Sequence, residues 1–225
     1  MTLEIDVFWS FRSPFSYLVA PRLVELVETY DVTCKFRPVY PIAMRIEGFF
    51  KTQARNPLAR RYFLLDAARV AERLGMPFVW PSPDPIEMDF ETGEVFEQQP
   101  YIRRLTYFGV SAERRGRGIH FAKEASAAIF GGVENWNEGE HLERAASAAK
   151  LNFAELERDI SDNQALYEQE IAKNAEDQNK AGHWGVPLMV FDHEPFFGQD
   201  RFETLIWRLK QRGLELRNKE KRPAD

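Results

Sequence analysis

The sequence feature that most constrains the fold is a strand-to-helix junction near the amino terminus. Residues Leu3–Trp9 alternate apolar and polar side chains, which predicts a strand. Pro14 suits the first turn of a helix, because its missing N–H would have no helical partner there. Ser13 precedes it and is predicted to cap this helix. Unpaired N–H groups and the positive end of the helix dipole converge at Ser13, so the junction is predicted to hold an anion.

The order of the predicted elements favours an α/β fold. A helix over Pro14–Tyr30 and a strand over Val32–Pro38 complete a β-α-β unit with a crossover of the right length for parallel strands. Helical patterns fill most of the chain from about 101 to 175. A hairpin around 188–197 and a helix over Arg201–Gln211 then form a β-β-α unit, which completes a four-stranded mixed sheet with a large all-helical insertion. The expected segments are 1–55 (first half of the α/β domain), 56–178 (helical insertion) and 179–225 (second half).

Composition excludes several functional classes. The net charge of −5 argues against a general nucleic-acid-binding surface. The sequence shows no secretory signal pattern and no apolar run near ~18 residues, so we expect a cytoplasmic protein without a membrane span. The single cysteine, Cys34, rules out an internal disulfide, a Cys-x-x-Cys pair and a zinc cluster of thiolates. The four histidines lack metal-ligand spacing, so no metal is expected.

Three distant pieces of the chain can meet in such a fold: Ser13-Pro14, Val186-Pro187 before the third strand, and Gln199-Asp200 before the last helix. Val186-Pro187 is a candidate cis peptide, which would leave main-chain groups of Val186 free to pair with an extended ligand. Asp200 is predicted to be the N-cap of the last helix, with Glu203 completing a capping box. The Asp200 carboxylate and the N–H groups behind it would suit the ammonium and carboxylate groups of an α-amino acid.

These motifs resemble those of a known family. The Ser-Pro-Phe-Ser-Tyr-Leu helix start, the Trp-Gly-Val-Pro turn and the Phe-Phe-Gly-Gln-Asp-Arg segment look like 2-hydroxychromene-2-carboxylate isomerases, which are similar to kappa-class glutathione transferases. The resemblance implies a thioredoxin-like fold, like that of DsbA-type oxidoreductases, and glutathione as the cofactor. It also implies the glutathione-contacting residues, namely Ser13 at the sulfur, Val186 with Pro187 at the cysteinyl backbone, Gln199 and Asp200 at the γ-glutamyl end, and Asn56 in the cleft loop.

Departures from the family pattern bear on the chemistry. Ser13 and Ser16 stand where thiol oxidoreductases of this superfamily have Cys-Pro-x-Cys. Disulfide exchange requires a thiolate, so that reaction is excluded at this position. Arg12 stands where an apolar residue is more usual and is expected to help stabilise a thiolate. The other cleft candidates are Phe15, Arg60, Arg61 and Trp184, and their aromatic members suggest an aromatic or apolar second substrate.

Three functions stay open on the sequence. In a glutathione-dependent isomerase of an aromatic carboxylate-type substrate, the thiolate stabilised by Ser13 would add to an electrophilic carbon and leave again. In a kappa-like glutathione transferase, the thiol would stay on the product. A redox-dead thioredoxin-fold binding module would lack catalysis, and Ser13 would then be only a helix cap. The resemblance alone implies a homodimer.

Overall fold

The structure of the protein, a computed structural model, describes residues 2–46, 48–49, 57–89 and 91–217. These residues form a four-stranded sheet with the order β2-β1-β3-β4. The strands are β1 (Leu3–Trp9), β2 (Val32–Pro38), β3 (Leu188–Phe191) and β4 (Glu194–Phe197). β1 and β2 run parallel, whereas β3 is antiparallel to both β1 and β4. The predicted mixed sheet, built from β-α-β and β-β-α units, is confirmed.

Helices connect and cover the strands. They are α1 (Pro14–Thr29), α2 (Ile42–Arg45), α3 (Pro57–Leu74), α4 (Pro100–Arg114), α5 (Gly118–Phe130), α6 (His141–Ala148), α7 (Phe153–Asp162), α8 (Gln164–Lys180) and α9 (Phe202–Gln211). The predicted run of helices between β2 and β3 is therefore present, although α8 extends past the expected end near 175. Within the described ranges, no helix has the length and apolar character needed to cross a membrane.

The register of the sheet brings the first helix start close to the turn before β3. Phe8, near the end of β1, pairs with Leu188, the first residue of the antiparallel β3. The chain that leaves β1 towards Ser13 therefore lies beside the chain that enters β3 through Pro187. This juxtaposition follows from the antiparallel pairing of the two central strands.

A large hydrophobic core joins the sheet to the inserted helices. Phe11, in the turn after β1, is 1% exposed and packs edge-on against Phe36 of β2 and Phe121 of α5. Gly109 of α4 lies under the Phe11 ring, and a Cβ at this glycine would be 2.9 Å from a ring carbon. Close packing of Phe11 fixes the turn that carries Ser13.

Candidate active site

Ser13 lies at the centre of the junction and makes two hydrogen bonds through its hydroxyl group. Its Oγ accepts a hydrogen bond from Ser16 N–H at 3.2 Å, which is the predicted N-cap bond of α1. The hydroxyl donates to Val186 O at 3.3 Å, across 173 residues of sequence. The backbone N–H of Ser13 donates to Ser10 O at 3.0 Å and closes the turn after β1. Ser13 is thus both a cap and a direct link to the turn before β3.

The Val186-Pro187 peptide is cis, as predicted. Two side chains outside the predicted site hold the chain that precedes it. Gln178 of α8 donates to Gly185 O at 2.6 Å, and Arg45 donates to Trp184 O at 2.8 Å. Arg45 also donates to Gln178 Oε1 at 3.0 Å, so the two supports are joined. Burial lowers the pKa of Arg45 to about 10, which leaves the side chain charged at neutral pH.

His183 supports the same turn from its other side. Its Nδ1 accepts a hydrogen bond from Gly185 N–H at 2.9 Å, and its ring stacks on Phe197 at 3.8 Å between centroids. Burial lowers the pKa of His183, so the ring is neutral at pH 7 and its Nε2 carries the proton. The role of His183 visible here is to orient the turn.

The Gln199-Asp200 segment is tied to both other pieces, but its local structure differs from the prediction. Gly198 N–H donates to Pro187 O at 2.9 Å. Arg22 of α1 donates to Gln199 O at 3.0 Å and to Gln199 Oε1 at 2.8 Å. The side chain of Gln199 is buried, and its Oε1 atom accepts a hydrogen bond from Arg22.

The predicted capping box is wrong. Residues Gln199–Arg201 form a 3₁₀ turn, and α9 begins only at Phe202 with no side-chain cap. Asp200 therefore does not cap α9, and its exposed carboxylate lies over Gly198 instead. A Cβ at Gly198, whose φ is +92°, would be 2.6 Å from Asp200 Oδ1, so this position requires glycine.

Two main-chain donors at the junction are suited to a ligand. Phe15 N–H belongs to the first turn of α1, where helical acceptors are lacking. Val186 N–H precedes the cis-proline. Among the described residues, neither group donates a hydrogen bond. An anionic sulfur near Ser13 and an extended peptide beside Val186 fit this arrangement of donors.

Arg12 does not carry a free charge towards Ser13. Its Nε and Nη2 donate to the two carboxylate oxygens of Asp84 at 2.7 and 2.9 Å, and Nη2 also lies 3.5 Å from the sulfur of Met88. The predicted help of Arg12 to a thiolate stays a prediction, and its guanidinium is already engaged by Asp84. A carboxylate 72 residues away neutralises the guanidinium in a bidentate pair.

Aromatic rings border the junction on two sides. Phe15 packs edge-on against Phe63 of α3 at 5.4 Å, and Phe63 lies 5.9 Å from Trp80. On the other side, Trp184 is 45% exposed and contacts Phe49 at 5.6 Å. The rings of Phe63 and Trp80 were not singled out from the sequence, because apolar residues on a helix and in a proline-rich loop give no sign of which site they border.

The remaining candidates are distributed as follows. Arg60 and Arg61 are exposed on α3, and Asn56 lies outside the described residues. Cys34 lies in β2 opposite Ile5, and burial raises the pKa of its thiol, which disfavours the nucleophilic thiolate. No group of three His, Cys, Asp or Glu side chains in the described part of the chain could hold a metal ion.

Comparison with known proteins agrees with this architecture. Residues 4–210 match the family described as the DSBA-like thioredoxin domain. A 2-hydroxychromene-2-carboxylate isomerase from Pseudomonas putida is 25% identical over an alignment of 227 positions, and the alignment covers 94% of this chain and 98% of that protein. A solved 2-hydroxychromene-2-carboxylate isomerase has a TM-score of 0.68 at 19% identity, covering 93% and 95% of the two chains. The cytosolic disulfide reductase DsbM from Pseudomonas aeruginosa, solved with GSH, has a TM-score of 0.57 at 13% identity, covering 93% and 100%.

Proposed function

We propose that this chain, which belongs to the family of DSBA-like thioredoxin domains, is a glutathione-dependent isomerase of an aromatic carboxylate-type substrate. The observation that carries the proposal is the 3.3 Å hydrogen bond from the Ser13 hydroxyl to Val186 O. This hydrogen bond places the start of α1 directly beside the main chain that precedes the cis-proline. Within the described residues, the N–H group of Phe15 at this helix start donates no hydrogen bond. The isomerase named among the relatives supports the reaction class, and the related reductase solved with GSH supports the cofactor.

When bound, glutathione would supply a thiolate that adds to an electrophilic carbon and is released after bond rotation, so it is not consumed. The Ser13 hydroxyl can donate a hydrogen bond to this thiolate and still cap α1. A hydroxyl group has one donor and two acceptor sites, so Oγ can keep the Ser16 N–H while its proton turns from Val186 O to the sulfur. The bond to Val186 O, at 3.3 Å, is long for two oxygen atoms and therefore easily exchanged.

The junction can supply the free energy that ionisation requires. A free thiol has a pKa of about 8.5. Lowering that pKa by about 2 units requires about 2.7 kcal/mol. One hydrogen bond from Ser13 to a charged sulfur contributes about 1.5–3 kcal/mol. The positive end of α1 contributes about 0.3–1 kcal/mol more. Together these contributions amount to about 1.8–4 kcal/mol, a range that includes the required free energy without a charge from an arginine.

Two further regions would hold the ends of the tripeptide and the second substrate. The exposed Asp200 carboxylate suits the ammonium group of the γ-glutamyl residue, while Val186 N–H suits the cysteinyl main chain. Arg22 fixes the turn of Asp200 through its hydrogen bonds to Gln199. The row of rings from Phe15 through Phe63 offers an apolar face next to Ser13, where a flat aromatic substrate can stack.

An assay with 2-hydroxychromene-2-carboxylate, run with and without glutathione, tests this proposal. The expected result is isomerisation that requires glutathione and leaves its concentration unchanged. Consumption of one thiol per product would instead identify a glutathione transferase. No reaction with any aromatic electrophile tested, despite glutathione binding, would identify a binding module. Ser13→Ala should remove most of the activity, whereas Ser16→Ala, one turn along α1, serves as the matched control.

A further inference from the structure

A charged pair links the described residues between α3 and α4 to the residue that precedes Ser13. Arg12 immediately precedes Ser13, and its guanidinium forms two parallel bonds, of 2.7 and 2.9 Å, with the Asp84 carboxylate. Both side chains are largely buried, at 19% and 22% exposure. Asp84 Oδ1 also accepts the N–H of Ile86 at 2.9 Å, which fixes the carboxylate within its own turn.

This segment is anchored independently of Arg12. Tyr17 of α1 donates to Pro77 O at 2.7 Å, and the buried Trp136 donates to Pro83 O at 2.8 Å. The buried side chain of Gln99 donates to the carbonyl groups of residues 87 and 96 at 2.8 and 2.7 Å. The backbone around Asp84 should therefore keep its conformation when the ion pair is broken. If either Arg12 or Asp84 is replaced by a neutral residue, the charge of the other stays near the junction.

We infer that Arg12 and Asp84 are a positioning pair that keeps the thiolate site electrically neutral on this side. This inference rests on the proposed function, because it assumes that a thiolate occupies the Ser13 site. Ser13 and the start of α1 then set the pKa of the thiol, because the Asp84 carboxylate neutralises the positive charge of Arg12.

The neutral pair has a chemical consequence. A nearby unpaired arginine would lower the pKa of a thiol, and the intrinsic nucleophilicity of a thiolate falls as its pKa falls. A thiol whose pKa lies near ambient pH is the most reactive attacking group. By neutralising Arg12, Asp84 keeps the thiol in this range.

The size of the effect follows from Coulomb's law. A unit charge about 8 Å from a thiolate, at an effective dielectric constant of about 40, shifts the pKa of the thiol by about 0.8 unit. Removing Asp84 leaves a cation and should lower the pKa. Removing Arg12 leaves an anion and should raise it. Removing both charges should restore the starting value.

A thiol introduced by Ser13→Cys, in a chain that also carries Cys34→Ala, measures this effect without glutathione. The pKa of the introduced thiol is read from its ultraviolet thiolate absorbance as a function of pH. In this background we expect Arg12→Met to raise the pKa by about 0.5–1 unit and Asp84→Asn to lower it by a similar amount. The combined variant should lie within about 0.3 unit of the background.

The directions of the two pKa shifts distinguish charge neutralisation from a purely structural role of the ion pair. Loss of structure alone would move both single variants in the same direction, and that result, or the absence of any shift, would overturn the inference. Glu4→Gln and Lys35→Met are the matched controls, because this pair, at 2.6 Å, lies near the start of β1. The pair lies about 20 Å along the strand from residue 13, which exceeds the Debye length of about 8 Å. Neither control should therefore shift the pKa of the introduced thiol.

Melting curves for every variant and calorimetry with glutathione complete the experiment. Arg12→Lys, which keeps the charge but not the two parallel bonds, should leave the pKa close to that of the background even if Arg12→Met fails to fold. If the two single variants shift the pKa in opposite directions but the wild-type protein binds no glutathione, the charge neutralisation is supported and the proposed function is refuted. If the wild-type protein binds glutathione but the two single variants shift the pKa in the same direction, only the inference about Arg12 and Asp84 is refuted.

Discussion

Ser13→Ala is the substitution with the most specific expected result. It removes the Oγ atom that accepts Ser16 N–H at 3.2 Å and the proton that would reach the glutathione sulfur. Loss of an N-cap costs about 1 kcal/mol of folding free energy, which lowers Tm by about 2–4 °C in a chain of this size. Loss of a hydrogen bond to a charged sulfur costs about 1.5–3 kcal/mol, which raises the pKa of the bound thiol by about 1–2 units.

Ultraviolet difference titration of glutathione bound to the two proteins measures this pKa. The matched control is Ser16→Ala, because the Ser16 hydroxyl is buried and has no hydrogen-bond partner among the described residues. Ser16→Ala should leave the pKa of the bound thiol unchanged. If Ser13→Ala also leaves it within about 0.3 unit of wild type, or if both variants shift it equally, Ser13 is not the group that stabilises the thiolate.

Three other substitutions test the supports of the site and the fold. Gln178→Ala should cost about 1–3 kcal/mol in denaturant unfolding, because it leaves Gly185 O without its donor, and calorimetry should show weaker glutathione binding. Gly118→Ala should cost about 1–3 kcal/mol, since the new Cβ would lie 2.8 Å from Phe36 Cβ; a melting temperature equal to that of wild type would contradict this packing. Burial raises the pKa of Glu113 to about 7, so the unfolded chain holds fewer protons than the folded chain between about pH 4.5 and 7. Stability should therefore fall by up to about 3 kcal/mol as pH rises through this window, and Glu113→Gln should remove that part of the pH dependence in urea titrations.

Much of the fold and part of the site could be predicted because their signals are local. The alternation in Leu3–Trp9, the Ser13-Pro14 helix start and the order of the strands each depend on neighbouring residues, and the structure contains all of them. The cis peptide at Val186-Pro187 was predicted from its place before a strand. The hydrogen bond between Ser13 and Val186 then follows from the pairing of β1 with β3.

The supports of the site could not be predicted, because they join residues far apart in sequence. Arg12 meets Asp84 across 72 residues, and Arg22 meets Gln199 across 177. A charged side chain shows no preference for one distant partner over another until the chain is folded. The capping box failed for a related reason. The pattern at Asp200 was local, but Arg22 binds Gln199 and stabilises a 3₁₀ turn where the helix was expected to start.

Proton release on glutathione binding tests the central claim most directly. Calorimetry of the wild-type protein at about pH 7.5, in buffers of different ionisation enthalpy, gives the number of protons released per glutathione bound. With the pKa of the thiol lowered from about 8.5 to about 6.5, the account predicts binding with release of about 0.8 proton. S-methylglutathione, which has no thiol proton, should release none. Absence of binding, or binding of glutathione without proton release, would contradict a thiolate held at Ser13.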